Sequence, residues 1–167
     1  MSFASLRIGH GFDVHRFSEN FVEDKPLILC GLMLPEKRSL VAHSDGDVVL
    51  HAVCDAILGA VGAGDIGQHF PDTDASFAGE DSANLLEEVL AIADKNGFQP
   101  INADITIIAQ VPKLSPYRQE MTARLADLLH LDTNRVNVKA TTTEGLGYIG
   151  REEGIACHCV VLLGAED

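Results

Sequence analysis

Segments with the two-residue period of strands alternate along this chain with segments that have the 3.6-residue period of helices. The predicted order is strand, strand, helix, helix, strand, helix, strand, strand. The strands span 7–15, 26–34, 101–110, 136–143 and 155–164, and the helices span 44–61, 82–96 and a segment that begins at 115. Pro26, Gly31 and Pro35 indicate that the second strand could be short or bulged. This order predicts an α/β (α+β) fold, a sandwich of a mixed β-sheet with helices packed on one face. Because the chain has 167 residues, of which 46% are hydrophobic, we expect residues 1–167 to form a single domain.

The first predicted helix has two distinct faces. Its apolar positions recur at helical spacing, whereas Asp47, His51 and Asp55 follow one another every four residues on another stripe. Ser44, with Asp47 three residues later, fits a variant of the capping box, so we expect the helix to begin at Ser44. The second helix shows only a core-facing apolar stripe, and Gly97 is expected to end it.

Three side chains of this layout are candidate metal ligands. Asp13 and His15 are two residues apart in the first strand, so both would point to the same face. If His51 joined them from the neighbouring helix, a tetrahedral zinc would keep one open position, as catalytic zinc sites do. The alternative interpretation is that an Asp-x-His pair lies on the surface or in a satisfied core.

Charge and composition exclude some classes of partner. The net charge is −13 with only 12 Lys and Arg residues, which disfavours binding to nucleic acid or to an anionic membrane. A small anionic ligand would need metal ions or backbone N–H groups to neutralise it. The chain has no signal peptide and no apolar run of transmembrane length, so we expect a cytoplasmic protein with reduced thiols. The run from Cys157 to Cys159 could bind a metal, although small apolar cysteines are also ordinary in a buried strand.

Two polar segments are candidate ligand-binding loops. Residues 62–80 combine glycines with several acidic residues and His69, which is typical either of a functional loop or of a solvated acidic one. Residues 141–145 place three threonines and Glu144 at the end of a strand. They could bind phosphate and a hard divalent ion, or the threonines could simply favour the strand.

Five segments together resemble the 2-C-methyl-D-erythritol 2,4-cyclodiphosphate synthase family of the non-mevalonate isoprenoid pathway. They are RIGHGFDVHRF at 7–17, AHSDGDVVLHAVCDAILGA at 42–60, GDIGQHFPDTD at 64–74, DITIIAQVPKLSP at 104–116 and NVKATTTEGLGYIGREEGIAC at 137–157. The resemblance implies a catalytic domain that assembles as a homotrimer with active sites between subunits. It also implies that 4-diphosphocytidyl-2-C-methyl-D-erythritol 2-phosphate, a cytidine diphosphate compound, is cyclised with release of CMP.

The resemblance also implies roles for individual residues. Asp13, His15 and His51 match the zinc ligands, Glu144 matches the ligand of a second divalent cation, Mg²⁺ or Mn²⁺, and His43 and Thr142 match the residues that stabilise the transition state. The candidate substrate-binding residues are Asp13, Val14 and His15; His43 and Ser44 for the phosphates; Asp65, Ile66, Gly67, Phe70, Pro71, Asp72, Thr73 and Asp74 for the methylerythritol part; Ala109, Gln110, Val111, Pro112, Lys113, Leu114 and Ser115 for cytidine, from the neighbouring subunit; Thr141, Thr142, Thr143 and Glu144 for the diphosphate; and Tyr148 and Arg151.

Three further interpretations remain open at this point. Tyr148, Arg151, Glu153 and His158 match a region that lines the central cavity of related trimers, a candidate site for an isoprenoid diphosphate. A trimeric, metal-stabilised binding module without turnover would need a closed zinc shell. A zinc phosphohydrolase would need a carboxylate base, for which Asp55 or Asp65 is a candidate.

Overall fold

A computed structural model describes residues 5–71, 73 and 79–165 of the chain. Its main sheet has four strands: β1 (Leu6–Arg16), β4 (Phe98–Ile108), β5 (Val136–Thr141) and β6 (Gly154–Ala165). They are arranged in the order β1-β6-β4-β5, in which β6 is antiparallel to both β1 and β4, and β5 is parallel to β4. The sheet is therefore mixed, as the sequence predicts.

The helices cover one face of this sheet. Helix α1 (Val48–Val61) packs on β1 and β6, α3 (Ser82–Lys95) packs on α1 and β4, and α4 (Arg118–Leu128) packs against β5. One hydrophobic core lies between these helices and the sheet. The opposite face exposes apolar side chains, among them Ile8, Phe12 and Val160. The predicted sandwich with helices on one face is thus confirmed.

The segment predicted as one strand over 26–34 is a short hairpin instead. Strands β2 (Ile28–Leu29) and β3 (Leu32–Met33) pair antiparallel. Cys30 and Gly31 between them have φ angles of 59° and 68°, and two successive positive φ angles reverse the chain in a two-residue turn. The prediction of one continuous strand was wrong, and the break lies at Gly31, the residue that indicated a short or bulged strand.

Helix α1 begins at Val48, four residues after the predicted start. The carboxylate of Asp47 accepts hydrogen bonds from the backbone N–H groups of Val49 and Leu50, so Asp47 caps the helix and Ser44 does not. Gly46 has a φ of 81°, which is incompatible with a right-handed helix at that position. Ser44 therefore lies in the loop that precedes the helix.

The other helix boundaries lie close to their predicted positions. Helix α3 ends at Lys95, and the φ of Gly97 is 77°, as expected for the residue that stops a helix. Helix α4 begins three residues after Ser115. Two short helices, α2 (Ile66–His69) and α5 (Gly147–Gly150), lie between predicted elements, α2 within the segment 62–80 that was predicted as a loop, and a 3₁₀ turn at Thr133–Arg135 precedes β5. In the described part of the chain, no helix has the length and apolar character needed to cross a membrane.

Candidate functional site

Asp13, His15 and His51 converge at one end of the contact between β1 and α1. Asp13 Oδ2 lies 3.0 Å from His15 Nδ1 and 3.0 Å from His51 Nδ1. Each of the three residues offers a ligand atom, and these three atoms lie within 4.8 Å of one another. In the described ranges, no other group of three or more His, Cys, Asp or Glu residues brings its ligand atoms this close together. The sequence-predicted triad therefore forms a cluster.

Two glycines of β1 allow helix α1 to come close enough for this convergence. A Cβ atom at Gly11 would lie 1.8 Å from the carbonyl oxygen of Ala52, and one at Gly9 would lie 1.8 Å from that of Ala56. These distances are far shorter than van der Waals contact, so any larger residue would push the helix away from the strand. The close packing at Gly9 and Gly11 thus also sets the distance between two residues next to it. Asp13 follows Gly11 on the strand, and His51 is adjacent to Ala52 on the helix.

Asp13 and His51 shift each other's pKa in opposite directions. Burial raises the pKa of Asp13, but the imidazoles of His15 and His51 outweigh it and hold that pKa well below its usual range. Burial lowers the pKa of His51, but the hydrogen bond and negative charge of Asp13 outweigh it and raise that pKa above its ordinary value. The site therefore favours positive charge next to an ionised Asp13.

The donor set fits a zinc ion. His15 Nδ1 is buried without a well-directed hydrogen bond, although it lies 3.0 Å from Asp13 Oδ2. In its unprotonated form this buried nitrogen offers a lone pair that a cation would satisfy. The 3.0 Å separations are close to the distance of about 3.3 Å between neighbouring ligands of tetrahedral zinc, and two imidazoles with one carboxylate are ligands that zinc prefers.

The second ring nitrogen of His51 faces two buried serines. His51 Nε2 lies 3.1 Å from Ser44 Oγ and 2.9 Å from Ser82 Oγ. Ser82 is the first residue of α3, and its hydroxyl and backbone N–H both donate to the carboxylate of Asp45. The α3 helix, for which the sequence indicates only a core-facing role, thus contributes a residue to the site.

The triad opens into a cleft of about 550 Å³. Nine of the predicted site residues line it: Asp13, Val14, His15, His43, Ser44, His51, Ile66, Gly67 and Phe70. Asp55, one turn after His51 on α1, also lines the cleft, and burial raises the pKa of its carboxyl group. Asp47, on the same predicted stripe, is completely buried at the start of the helix and does not line the cleft.

The predicted methylerythritol loop closes one side of this cleft. Asp65 caps α2 by accepting a hydrogen bond from the backbone N–H of Gln68, and Asp55 accepts one from Ile66. The second of these bonds holds the start of α2 against α1. Pro71 is half-buried and Thr73 is exposed, whereas Asp72 and Asp74 lie outside the described residues.

A second cluster of predicted site residues lies at the carboxyl ends of β4 and β5. The backbone N–H of Ala109 donates to the carbonyl oxygen of Thr141, which holds the two predicted segments, 109–115 and 141–144, side by side. In the first segment Ala109, Pro112 and Leu114 are buried, Gln110 and Val111 are half-buried, and Lys113 and Ser115 are exposed.

Glu144 has an unusual backbone conformation in this cluster. Its φ of 53° is in the left-handed region, and its carboxylate accepts a hydrogen bond of 2.7 Å from the hydroxyl of Thr142. Strained backbone at a residue other than glycine is common at functional sites. The carboxylate is exposed together with Thr141 and Thr142, while Thr143 is half-buried and donates to the carbonyl of Leu146.

The structure of one chain keeps the two clusters apart. None of the residues 109–115 or 141–144 lines the cleft that holds the triad. Tyr148 and Arg151, on α5 and just after it, are exposed and do not line the cleft either, and Arg151 pairs with Glu153 at 2.6 Å. The residues of the two clusters therefore do not share one cleft in the single chain.

Sequence interpretation did not identify Asp45 and Ser82 as site residues. Asp45 is adjacent to candidate residues, but Ser82 is 31 residues beyond His51 and reads as an ordinary helix start. Only the packing of α3 on α1 brings it to the imidazole.

Known proteins resemble this chain over almost its full length. A sequence model of the YgbB family matches residues 6–164. A protein of Idiomarina loihiensis named 2-C-methyl-D-erythritol 2,4-cyclodiphosphate synthase is 56% identical over 158 residues, which cover 95% of this chain and 97% of that protein.

Solved structures show the same fold. The structure of the bifunctional IspDF from Campylobacter jejuni matches with a TM-score of 0.90 and 48% identity, over 97% of this chain but only 43% of that longer protein. IspF of Plasmodium falciparum, in a complex with CDP, matches with a TM-score of 0.84 and 35% identity over 99% of this chain and 100% of that one. The chain therefore belongs to the YgbB family, that of the 2-C-methyl-D-erythritol 2,4-cyclodiphosphate synthases.

Proposed function

We propose that this chain converts 4-diphosphocytidyl-2-C-methyl-D-erythritol 2-phosphate into 2-C-methyl-D-erythritol 2,4-cyclodiphosphate and CMP, a phosphorus–oxygen lyase reaction of isoprenoid precursor synthesis. The observation that carries the proposal is the Asp13–His15–His51 cluster at the wall of a 550 Å³ cleft. Family membership supports the same activity.

The reaction places few demands on acid–base chemistry. An oxygen of the 2-phosphate, already anionic at neutral pH, attacks the β-phosphorus, and the bond from that phosphorus to the oxygen bridging to the α-phosphate breaks. CMP leaves with the bridging oxygen and the electron pair. Since no proton must be removed from the nucleophile, the chain has to position the phosphates and neutralise their charge.

The cleft offers groups for this task. Asp13, His15 and His51 would hold zinc, which would supply Lewis-acid stabilisation of the developing phosphate charge. His43 and Ser44 line the same cleft as the triad and would orient the phosphates. Ile66, Gly67 and Phe70 form the side suited to the less polar methylerythritol part. The net charge of −13 makes such local neutralisation necessary.

The second cluster would serve the other half of the substrate. Glu144 would hold Mg²⁺ or Mn²⁺, for which a carboxylate oxygen is a suitable ligand. Thr142, hydrogen-bonded to Glu144, would donate to the diphosphate and stabilise its charge in the transition state. Residues 109–115, next to Thr141, would bind cytidine, with Lys113 exposed toward it.

The separation of the two clusters supports a homotrimer with shared active sites. The sheet face opposite the helices exposes Ile8, Phe12, Val14 and Val160, and an apolar face of this kind is suited to contact between copies of the chain. In that assembly the cleft of one subunit would meet residues 109–115 of the next. Tyr148 and Arg151 would lie toward the interface, where the trimer's central cavity is the candidate site for an isoprenoid diphosphate.

Product analysis tests the proposed reaction. Zinc-loaded protein with added Mg²⁺ should convert the cytidine substrate into equal amounts of CMP and the cyclic diphosphate, and Asp13→Asn should abolish this conversion. Asp94→Asn is a matched control, because it removes the same charge from an exposed carboxylate of α3 that does not line the cleft. CMP with an open-chain phosphate would indicate a phosphohydrolase, and no turnover would indicate a binding module.

Subunit mixing tests the shared site. Trimers of His15→Ala alone and of Lys113→Ala alone should each be poorly active, while mixed trimers should regain activity at interfaces that combine two intact halves. A failure of well-mixed trimers to regain activity would place both halves of the site in one chain.

A further inference from the structure

Ser82 and Asp45 form a hydrogen-bonded pair behind His51, on the side of the imidazole opposite the cluster. Asp45 accepts from Ser82 twice: the hydroxyl donates to Oδ1 at 2.5 Å, and the backbone N–H donates to Oδ2 at 3.0 Å. Ser82 is completely buried, so no water competes for its hydroxyl. Neither residue has a role in the proposed phosphoryl transfer.

Ser82 has one hydroxyl proton, and its use determines whether the oxygen donates to His51 Nε2 or accepts from it. A serine hydroxyl has one proton and two lone pairs, and a carboxylate can only accept. Because the proton goes to Asp45, Ser82 Oγ can only accept at its second contact, which is with His51 Nε2 at 2.9 Å. His51 must therefore carry a proton on Nε2.

The neutral form of His51 is thereby restricted to one tautomer. With the proton on Nε2, Nδ1 carries a lone pair. Nδ1 lies 3.0 Å from Asp13 Oδ2, which is also an acceptor. Two acceptors at this distance repel each other unless a cation lies between or beside them. The arrangement prepares Nδ1, rather than Nε2, to bind a metal ion.

We propose that the Asp45–Ser82 pair is a positioning device that fixes the tautomer of His51 and so makes its Nδ1 a metal ligand. The inference deepens the proposed function, on whose metal centre it rests. Second hydrogen-bond partners of ligating histidines commonly change metal affinity by about 10- to 100-fold. Ser44 also contacts Nε2, but its hydroxyl is not committed to a carboxylate in the described contacts, so the direction is imposed by Ser82.

Two measurements test the proposal. The first is ¹⁵N NMR of metal-free protein at alkaline pH, where His51 is neutral, and the second is zinc affinity from competition with a chelator. In the wild type, Nε2 should have the shift of a protonated ring nitrogen and Nδ1 that of an unprotonated one. Ser82→Ala should give a mixture of tautomers and a roughly 10- to 100-fold lower zinc affinity. Ser82→Thr, which keeps the hydroxyl, should have the tautomer and the zinc affinity of the wild type.

Two further variants sharpen the test. Asp45→Ala removes the acceptor of the Ser82 hydroxyl, so the hydroxyl proton can turn to His51 Nε2 and the protein should contain both tautomers. Ser39→Ala is the control, because it removes a buried hydroxyl that bonds to Val22 and leaves the contacts of His51 unchanged. It should change neither the tautomer nor zinc affinity.

The outcomes separate this proposal from the proposed function. An Nδ1–H tautomer in the wild type, or unchanged tautomer and zinc affinity in Ser82→Ala, would overturn the positioning role. If the tautomers and zinc affinities agree with these predictions but the protein does not form the cyclic product, the positioning role would be supported and the proposed reaction overturned.

Discussion

Replacing Gly11 with alanine should separate α1 from β1 and thereby open the metal cluster. The added Cβ would lie 1.8 Å from the carbonyl oxygen of Ala52 and 2.8 Å from the backbone nitrogen of Ala56, and neither atom belongs to a flexible side chain. The helix must move by at least about 1.2 Å before the first distance reaches 3.0 Å, the shortest that real Cβ atoms show. His51 is next to Ala52, so its distance from Asp13 should increase by a similar amount.

The size of this movement determines two expected effects. Overpacking of this kind costs about 1–3 kcal/mol in the free energy of unfolding. Metal–ligand distances tolerate only about 0.2 Å, so zinc affinity should fall by at least about tenfold. Gly59→Ala is the matched control, since nothing lies within 4 Å of a Cβ there and alanine in a helix gains up to about 1 kcal/mol.

Urea denaturation of the metal-free variants and zinc titration measure the two effects separately. We expect Gly11→Ala to lose stability and zinc affinity, and Gly59→Ala to keep zinc affinity with equal or greater stability. If Gly11→Ala retained wild-type zinc affinity, the close approach of α1 and β1 would not be what builds the site.

Three other predictions concern the metal ligands and the thiols. His51→Ala should keep its helical circular dichroism but lose bound zinc and activity, because one of three ligands is removed; full zinc stoichiometry by metal analysis would show that His51 is not a ligand. Glu144→Gln should keep zinc but weaken the dependence of turnover on Mg²⁺ or Mn²⁺. It should also lower the rate by at least about tenfold, which corresponds to ~1.4 kcal/mol in the activation barrier. An unchanged rate and metal dependence would contradict the proposed role of Glu144. Burial raises the pKa of all four thiols, that of Cys159 to about 12, so a thiol reagent should label the folded protein slowly even at pH 9 and label four groups after unfolding. Rapid labelling of the folded chain would show that the thiols are accessible.

The ligand cluster could be predicted from the sequence because it depends on local periodicity. Asp13 and His15 share a face by the alternation of a strand, and His51 follows from the stripe of a helix. Their convergence in space depends on Gly9 and Gly11, which let α1 approach β1, and only the three-dimensional structure reveals this close packing.

Other features depended on contacts between distant segments. The start of α1 was misplaced because Ser44 and Asp47 are both good capping residues, and the φ of Gly46 decides between them. The role of Ser82 depends on how α3 packs against α1, which no local pattern specifies. The hairpin at Cys30 escaped prediction because a cysteine seldom adopts a positive φ.

Anomalous diffraction at the zinc absorption edge would test the central claim that Asp13, His15 and His51 form the metal centre. Crystals of zinc-loaded protein should show an anomalous peak about 2.0–2.2 Å from Asp13 Oδ2, His15 Nδ1 and His51 Nδ1, with one coordination position open to the cleft. The same crystals of His51→Ala should lack the peak. A zinc peak elsewhere on the protein, or ligation through His51 Nε2, would contradict the account.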